Sequence, residues 1–273
     1  MRREAQLGRE RHRKFPSILE AVFLVIALFV AEYVVGAALR DLRPLSGIDP
    51  KDITGVVALL GNGILFSALL HYKRMGYASL FHPSSNSVRA TISTLSVPIL
   101  FLIPALFLAV SAVTSLLAWL FPVSRWEQSM FDRMMSDEFA TVVTVCILAP
   151  FLEEMLFRGI ILRSFLEQYT RPRAFIYSAA LFGLAHLNIY QFASGFAIGI
   201  ILAWLYERSR SLWPCIFLHG TYNSLVTWSW LSSGSRAEQD LWDTPAPYWG
   251  AAFLLAFIGT SLLRRLLGVR TSS

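Results

Sequence analysis

Charged residues are scarce in this chain of 273 residues, because Asp, Glu, Lys and Arg together make up only 15% of it. Soluble globular domains carry about 25% charged residues, so this scarcity argues against a soluble protein. Hydrophobic residues account for 55% of the chain, and the mean hydropathy is +0.53. The composition is typical of a polytopic membrane protein, and one membrane domain accounts for the length.

Cysteine is also rare, with only Cys146 and Cys215 in the sequence. Both lie in apolar segments and form neither a CxxC motif nor the spacing of a zinc site, so we expect two buried thiols without a chemical role. The net charge is +6. The basic residues flank apolar runs instead of forming one dense patch, and nucleic-acid binding is therefore not expected.

Long apolar runs dominate what remains, and we predict an all-α membrane bundle of about eight transmembrane helices. Lipid requires backbone groups to be paired within the protein, and the alternating pattern of a membrane barrel is absent. Two of the runs have only about 15 residues, short of the ~20 that a full span needs. The runs lie at about 18–39, 53–71, 92–120, 139–161, 174–188, 192–206, 212–231 and 247–267.

The distribution of Lys and Arg predicts the orientation of the bundle. With the N-terminus inside, 17 of the 24 basic residues fall on the inner side, 6 fall in outer loops, and Arg158 lies within an apolar run. Cytoplasmic loops carry the excess of basic residues in membrane proteins. We therefore expect a multi-pass protein of a prokaryotic plasma membrane with both termini in the cytoplasm.

Charged side chains lie where lipid should exclude them. The fourth apolar run contains Glu153, Glu154 and Arg158. A charged side chain at the bilayer centre costs roughly 2.5–3.5 kcal/mol on insertion scales. The fifth and seventh runs contribute three further polar side chains, which are those of His186, His219 and Asn223.

The spacing of these polar residues places them in one layer of the membrane. Four of them lie nine to thirteen residues from a basic residue at the predicted inner end of their run, namely Glu153, His186, His219 and Asn223. At about 1.5 Å per residue, this distance is roughly 13–20 Å, close to mid-bilayer. Three helices thus bring polar groups to one depth, and we expect these groups to meet in a polar cavity.

Helical phase suggests how the polar groups divide. Glu154 and Arg158 are four residues apart and share a helix face, so the guanidinium can neutralise that carboxylate. Glu153 points about 100° away and can face another group. His219 and Asn223 are also four apart and can act on one target.

This arrangement indicates acyl transfer to water. Glu153 is free to bind and deprotonate a water molecule, and His186 can bind the same water and shuttle its proton. His219 and Asn223 carry N–H donors suited to an oxyanion. Phe182 lies four residues before His186, so its ring can wall one side of the imidazole. The predicted reaction is peptide-bond hydrolysis within the membrane.

The motifs that carry this chemistry resemble the CAAX protease and bacteriocin-processing (CPBP) family, which includes the Rce1-type intramembrane endopeptidases. The resemblance covers about residues 139–231. It rests on Glu153-Glu154-x-x-x-Arg158, Phe182-x-x-x-His186 and His219-x-x-x-Asn223, with Phe192-x-x-Gly195-x-x-x-Gly199 as a further similar element.

The resemblance implies an eight-helix glutamic endopeptidase that needs no cofactor or metal. It implies catalytic roles for Glu153, His186, His219 and Asn223, supported by Glu154, Arg158 and Phe182. The substrate would be a membrane-associated peptide or protein. Eukaryotic relatives trim prenylated proteins, whereas the compact loops here look prokaryotic, so a prenylated substrate is not expected.

Four parts of the chain follow from this interpretation. They are a basic cytoplasmic tail at 1–17, transmembrane helices with an interfacial segment at 18–138, a catalytic helical core at 139–231, and a last loop with a C-terminal transmembrane helix at 232–273. A secretory signal has an apolar core of about 7–15 residues, so the longer run at 18–39 favours an uncleaved helix. Cleavage near residues 36–38 is an alternative.

Other interpretations of the same residues stay open. The charges can form a structural ion-pair network in a non-catalytic immunity or scaffold protein. They can also form the proton relay of a transporter. A zinc site built from Glu153, His186 and His219 would give a metal-dependent variant of the protease. The motifs of other membrane proteases, such as HExxH, are absent.

Overall fold

The computed structural model describes residues 14–46, 53–135, 137–233 and 244–268. Within these ranges the chain is all-helical, which confirms the predicted fold class. Its helices, in chain order, are α1 Ile18–Ser46, α2 Ile53–Lys73, α3 Tyr77–Phe81, α4 Val88–Leu120, α5 Arg125–Met134, α6 Phe139–Gln168, α7 Arg171–Leu184, α8 Ile189–Ser209, α9 Trp213–Ser233 and α10 Ala246–Leu267.

Each of the eight predicted apolar runs forms a helix, and six of the helices are long and apolar enough to cross a membrane: α1, α2, α4, α6, α8 and α10. Helix α7 has 14 residues, about 21 Å, which is less than the ~30 Å hydrocarbon core. Helix α9 has 21 residues, but its polar side chains lower its hydropathy. The chain is an integral membrane protein by these features.

The boundaries of the fifth and sixth runs were predicted wrongly. Helix α7 ends at Leu184, and α8 begins at Ile189 and has 21 residues. The connecting turn includes Leu187 with a φ of 58°, and the Asn188 side chain caps α8 by accepting from the Gln191 N–H at 2.8 Å. The turn has only four residues, and Ala185 and Leu187 among them continue the apolar run, so hydropathy did not reveal it.

The segment between α4 and α6 contains a short helix, α5. A capping box starts it, because the Ser124 hydroxyl accepts from the Glu127 N–H while the Glu127 carboxylate accepts from the Ser124 N–H. None of its side chains is fully buried. The Phe131 ring contacts the Tyr190 ring, and this contact joins α5 to the start of α8.

Small residues allow α7 and α8 to cross closely. A Cβ atom added to Gly195 would lie 3.2 Å from the Cα of Gly183, and one added to Gly199 would lie 3.0 Å from the Cβ of Ala179. This supports the packing role expected for the two glycines of α8. The close crossing holds the C-terminal end of α7 against α8. His186 lies in the turn that follows this end.

Candidate active site

Helix α6 carries the paired glutamates in a short α-helical turn between two π-helical stretches. The turn is Ala149–Glu154, and the π-helical stretches are Thr144–Leu148 and Met155–Leu162. π-Helical stretches are rare and frequently occur at functional sites. They change the angular spacing between residues, so the simple 100° step used on the sequence holds only within the central turn.

Glu154 and Arg158 form the predicted ion pair. Arg158 Nη1 donates to Glu154 Oε1 at 2.8 Å, and both side chains are completely buried. Arg158 Nη2 also donates to the Gly199 carbonyl at 3.4 Å, and the guanidinium lies 4.4 Å from the Phe182 ring centroid. A buried carboxylate needs such a partner, and the pair neutralises the charge of one of the two acids, although Glu154 Oε2 has no hydrogen-bond partner among the described residues.

His219 joins this pair from α9. Its Nδ1 lies 2.9 Å from Glu154 Oε1, the same oxygen that accepts from Arg158. The opposite ring atom, Nε2, lies 3.8 Å from Glu153 Oε2. The ring is therefore oriented by the buried carboxylate and presents its second nitrogen to the other one.

Glu153 differs from Glu154 in its exposure. Its side chain is 31% exposed and lines a cavity of about 840 Å³, whereas Glu154 is fully enclosed. Glu153 Oε2 is itself buried and has no hydrogen-bond partner among the described residues. One carboxylate is thus held in an ion pair, and the other is available to the cavity.

His186 lies in the turn after α7, and its protonation pattern follows from one contact. Its Nδ1 is 3.0 Å from the Phe182 carbonyl oxygen. A carbonyl only accepts hydrogen bonds, so Nδ1 carries the hydrogen, and Nε2 of the neutral ring is the basic nitrogen. The Phe182 ring stands edge-on to both His186 and His219, with centroids 5.2 and 5.6 Å away.

Asn223 is held by a backbone carbonyl that the fold leaves free. Its Nδ2 donates to the Val145 oxygen at 3.0 Å. In the π-helical register the Ala149 N–H bonds to the Thr144 carbonyl, so the next donor in line for Val145 would be residue 150. That residue is Pro150, which has no N–H, and the carbonyl remains open to the asparagine.

Together these contacts bring the seven predicted site residues into one region. Five line the same cavity, namely Glu153, Phe182, His186, His219 and Asn223. Glu154 and Arg158 lie behind it, fully buried. The arrangement provides a carboxylate, a basic imidazole nitrogen and two further nitrogen-bearing side chains around a common space.

Comparisons with known proteins address the same part of the chain. Residues 135–225 match the family described as type II CAAX prenyl endopeptidase Rce1-like. This segment is Rce1-like. The resemblance inferred from the motifs is thereby confirmed, and the matched residues include all seven predicted site residues.

Two bacterial proteins resemble the Rce1-like segment. One is a Bacillus subtilis (strain 168) protein named "Putative membrane peptidase YdiL". It is 32% identical over 85 residues, which cover 31% of this chain and 35% of the Bacillus protein. An uncharacterized 24.3 kDa protein of Escherichia coli is 36% identical over 93 residues, 32% of this chain and 43% of its own. The chain thus spans less than half the length of either relative. No solved structure gives a significant match.

Two features of the Rce1-like segment were missed from the sequence. The Val145 carbonyl is a backbone group, and no side-chain pattern marks it. Pro150 was visible within an apolar run, and a proline there signals a disturbed helix. That signal could have located the irregular turn, although not the side chain that uses it.

The two cysteines differ in burial. Cys215 is buried, as expected, but Cys146 is only half-buried, and its Sγ lies 3.6 Å from the Thr227 hydroxyl. In the described part of the chain, no group of three His, Cys, Asp or Glu side chains has the arrangement of a metal site.

Proposed function

We propose that this protein is an intramembrane endopeptidase that hydrolyses a peptide bond of a membrane-associated protein or peptide. The observation that carries the proposal is the contrast between the two glutamates: Glu154 is buried in an ion pair, and Glu153 faces the cavity beside His219. An ion-pair network alone accounts for only one of the two acids. The Rce1-like match supports a membrane protease in general.

Water activation is the role proposed for Glu153 and His186. Both line the cavity, and His186 presents a basic Nε2 because Nδ1 is bonded to the Phe182 carbonyl. A water bound between these groups gives up one proton to them while its oxygen attacks the substrate carbonyl carbon. The same proton then passes to the departing amine nitrogen as the carbon–nitrogen bond breaks.

Stabilisation of the oxyanion is the role proposed for His219 and Asn223. An asparagine amide has two N–H donors, and the Val145 carbonyl uses one, so the second is free. His219 donates through Nε2 only when both ring nitrogens carry hydrogen, since Nδ1–H faces Glu154.

The alternatives make different demands on Glu153. A non-catalytic immunity or scaffold protein needs the packing of the bundle but no particular carboxylate in the cavity. A zinc-dependent protease needs Glu153, His186 and His219 on one ion. Activity that survives a strong chelator argues for the metal-independent mechanism, and activity restored only by added zinc argues for the variant.

The experiment that tests the proposal compares membranes from cells that produce the wild-type protein with those that produce Glu153→Gln. The expected result is that one or more full-length membrane proteins or peptides accumulate in the variant, and that their cleaved forms are present only with the wild type. Glu167→Gln is the matched control, because Glu167 lies exposed at the end of the same helix. Identical peptide profiles for wild type and Glu153→Gln would remove the proposal.

A further inference from the structure

The cavity that holds Glu153 extends to one end of the bundle. Its wall continues along α9 from His219 to Trp230, and Tyr248 near the start of α10 is a further lining residue that is 66% exposed. Trp230 lies eleven residues beyond His219, which corresponds to about 16 Å along the helix. The cavity therefore connects the candidate active site with the end of the bundle formed by α5 and the start of α10.

Fewer arginines of the described helix ends lie at the rim, where α5 carries Arg125 and Arg133, than at the opposite end of the bundle. Two contacts hold the helix junctions of that end together, because Arg171 pairs with Glu207 at 3.2 Å and the Leu212 N–H bonds to the Phe81 carbonyl at 2.8 Å. Six arginines of α7, α8 and α10 cluster at these helix ends, which are Arg171, Arg173, Arg208, Arg210, Arg264 and Arg265. The positive-inside rule assigns that end to the cytoplasm.

The lining of the cavity limits what can occupy it. Glu153 and the two histidines of the candidate site are the only acidic or basic side chains among the described lining residues, and no Lys or Arg is present. Arg158 is fully buried against Glu154 and does not line the cavity. Among the described lining residues, no lysine or arginine is therefore available to hold a free C-terminal carboxylate or a phosphate group.

Polar groups in the wall favour a peptide over a lipid chain. Hydroxyl groups of Ser111, Thr114, Ser194 and Ser229 line the cavity. The hydroxyls of Thr114 and Ser194 donate to carbonyls of their own helices, which leaves oxygen lone pairs to accept further hydrogen bonds. An acyl chain would leave such acceptors unpaired, whereas a peptide backbone supplies N–H donors.

We infer that the substrate is an extended segment without acidic side chains, part of a membrane-anchored protein, that reaches the site from the extracytoplasmic side. This inference rests on the proposed function for the cleavage itself, but the direction of access rests on the cavity and the charges alone. An extended chain advances about 3.3 Å per residue, so about five residues separate the cleaved bond from the rim. The scissile bond lies inside a chain and not at a free carboxyl terminus.

Cysteine labelling of the full-length protein tests the direction of access. The background is the double variant Cys146→Ser and Cys215→Ala, and the reporters are Tyr248→Cys at the rim and Arg173→Cys at the basic end, both at exposed positions. With a charged, membrane-impermeant maleimide, Tyr248→Cys should react in right-side-out vesicles only, and Arg173→Cys in inverted vesicles only. The reverse pattern would overturn the inference.

A third reporter, Val226→Cys, lies within the cavity wall. It should react with a small charged thiosulfonate added from the side of Tyr248. Reaction only with a lipid-soluble reagent would identify lipid as the occupant and overturn the inference. Labelling does not depend on cleavage, so these outcomes are independent of the Glu153→Gln experiment.

The substrates that accumulate with Glu153→Gln provide a second readout. Their cleavage sites, mapped by mass spectrometry of the new chain ends, should lie on the extracytoplasmic side with no acidic residue within about five positions of the bond on the rim side. An acidic residue introduced there should slow cleavage at least about tenfold relative to the corresponding amide. Cleavage sites on the cytoplasmic side would contradict the inference.

Discussion

Nδ1 of His219 lies 2.9 Å from Oε1 of Glu154 in the interior of the bundle. This contact joins two helices that lie far apart in the chain, and it fixes the ring so that Nε2 faces Glu153. Arg158 donates to the same oxygen of Glu154. The Glu154 carboxylate therefore pairs with Arg158 and also orients the His219 ring. The stability of the bundle and the orientation of the imidazole therefore depend on one buried side chain.

The first prediction concerns this ion pair. Arg158→Met leaves Glu154 buried without its cation, and breaking a buried pair in this way costs about 3–5 kcal/mol. The double variant Glu154→Leu and Arg158→Met removes both charges and should regain most of that stability. Thermal unfolding of the purified protein in detergent measures both. A double variant no more stable than Arg158→Met would show that the charge pairing is not the stabilising feature.

The second prediction concerns the oxyanion donor. Asn223→Ala should lower kcat by about 10²–10³-fold with little change in KM, as expected for a donor that acts in the transition state. Ser224→Ala is the control on the same helix, because its exposed hydroxyl donates only to the Gly220 carbonyl. Steady-state kinetics of Asn223→Ala and Ser224→Ala, measured with the substrate that accumulates in Glu153→Gln membranes, gives kcat and KM for both variants. Equal activity of both variants would exclude this role for Asn223.

The third prediction concerns Pro150. Pro150→Ala introduces an N–H that can bond to the Val145 carbonyl and displace the Asn223 amide, so kcat should fall about tenfold without loss of thermal stability. In the Asn223→Ala background the same substitution should have no further effect, because the two residues act through one contact. An additive effect in this double-mutant cycle would contradict the proposed link.

The fourth prediction is a pH dependence of α5. The Ser124 hydroxyl and N–H hydrogen-bond to Glu127 and lower the pKa of its carboxyl group below the usual value. A lowered pKa means that the cap stabilises the helix above the unfolded-state pKa and that this stabilisation is lost as the pH falls through the folded-state pKa.

Hydrogen exchange of the α5 amides measures this effect. Protection should decrease on acidification in the wild type and should depend less on pH in Ser124→Ala. Ser129→Ala should behave as the wild type does, because its hydroxyl lies outside the capping box. A pH response retained in Ser124→Ala would contradict the assignment to the cap.

The sequence allowed the class of fold and the grouping of the site to be predicted, because both depend on long-range regularities of polarity. Hydrophobic runs reveal helices in lipid, and charged residues inside such runs reveal a shared cavity. Because these predictions depended on polarity, they placed the turn that carries His186 within an apolar run. Residues 185–187 are nearly as apolar as the helix before them, and the chain bends there because of tertiary packing at Gly183 and Gly195.

Backbone features of the site were only partly accessible from the sequence. Pro150 marks a disturbance of α6, but the π-helical stretches on either side of Glu153 and the open Val145 carbonyl needed the fold. The exposure of Glu153 and the burial of Glu154 also could not be derived from helical phase. The phase shows that the two side chains point in different directions, but not which of them faces the cavity.

Purified full-length protein, assayed for cleavage of the substrate that accumulates in Glu153→Gln membranes, tests the central claim most directly. Cleavage should be lost in Glu153→Gln, with at least about 10²-fold reduction, while the melting temperature and the Glu167→Gln control stay at wild-type values. Wild-type cleavage by a folded Glu153→Gln protein would contradict the assignment of the unpaired carboxylate as the group that activates water.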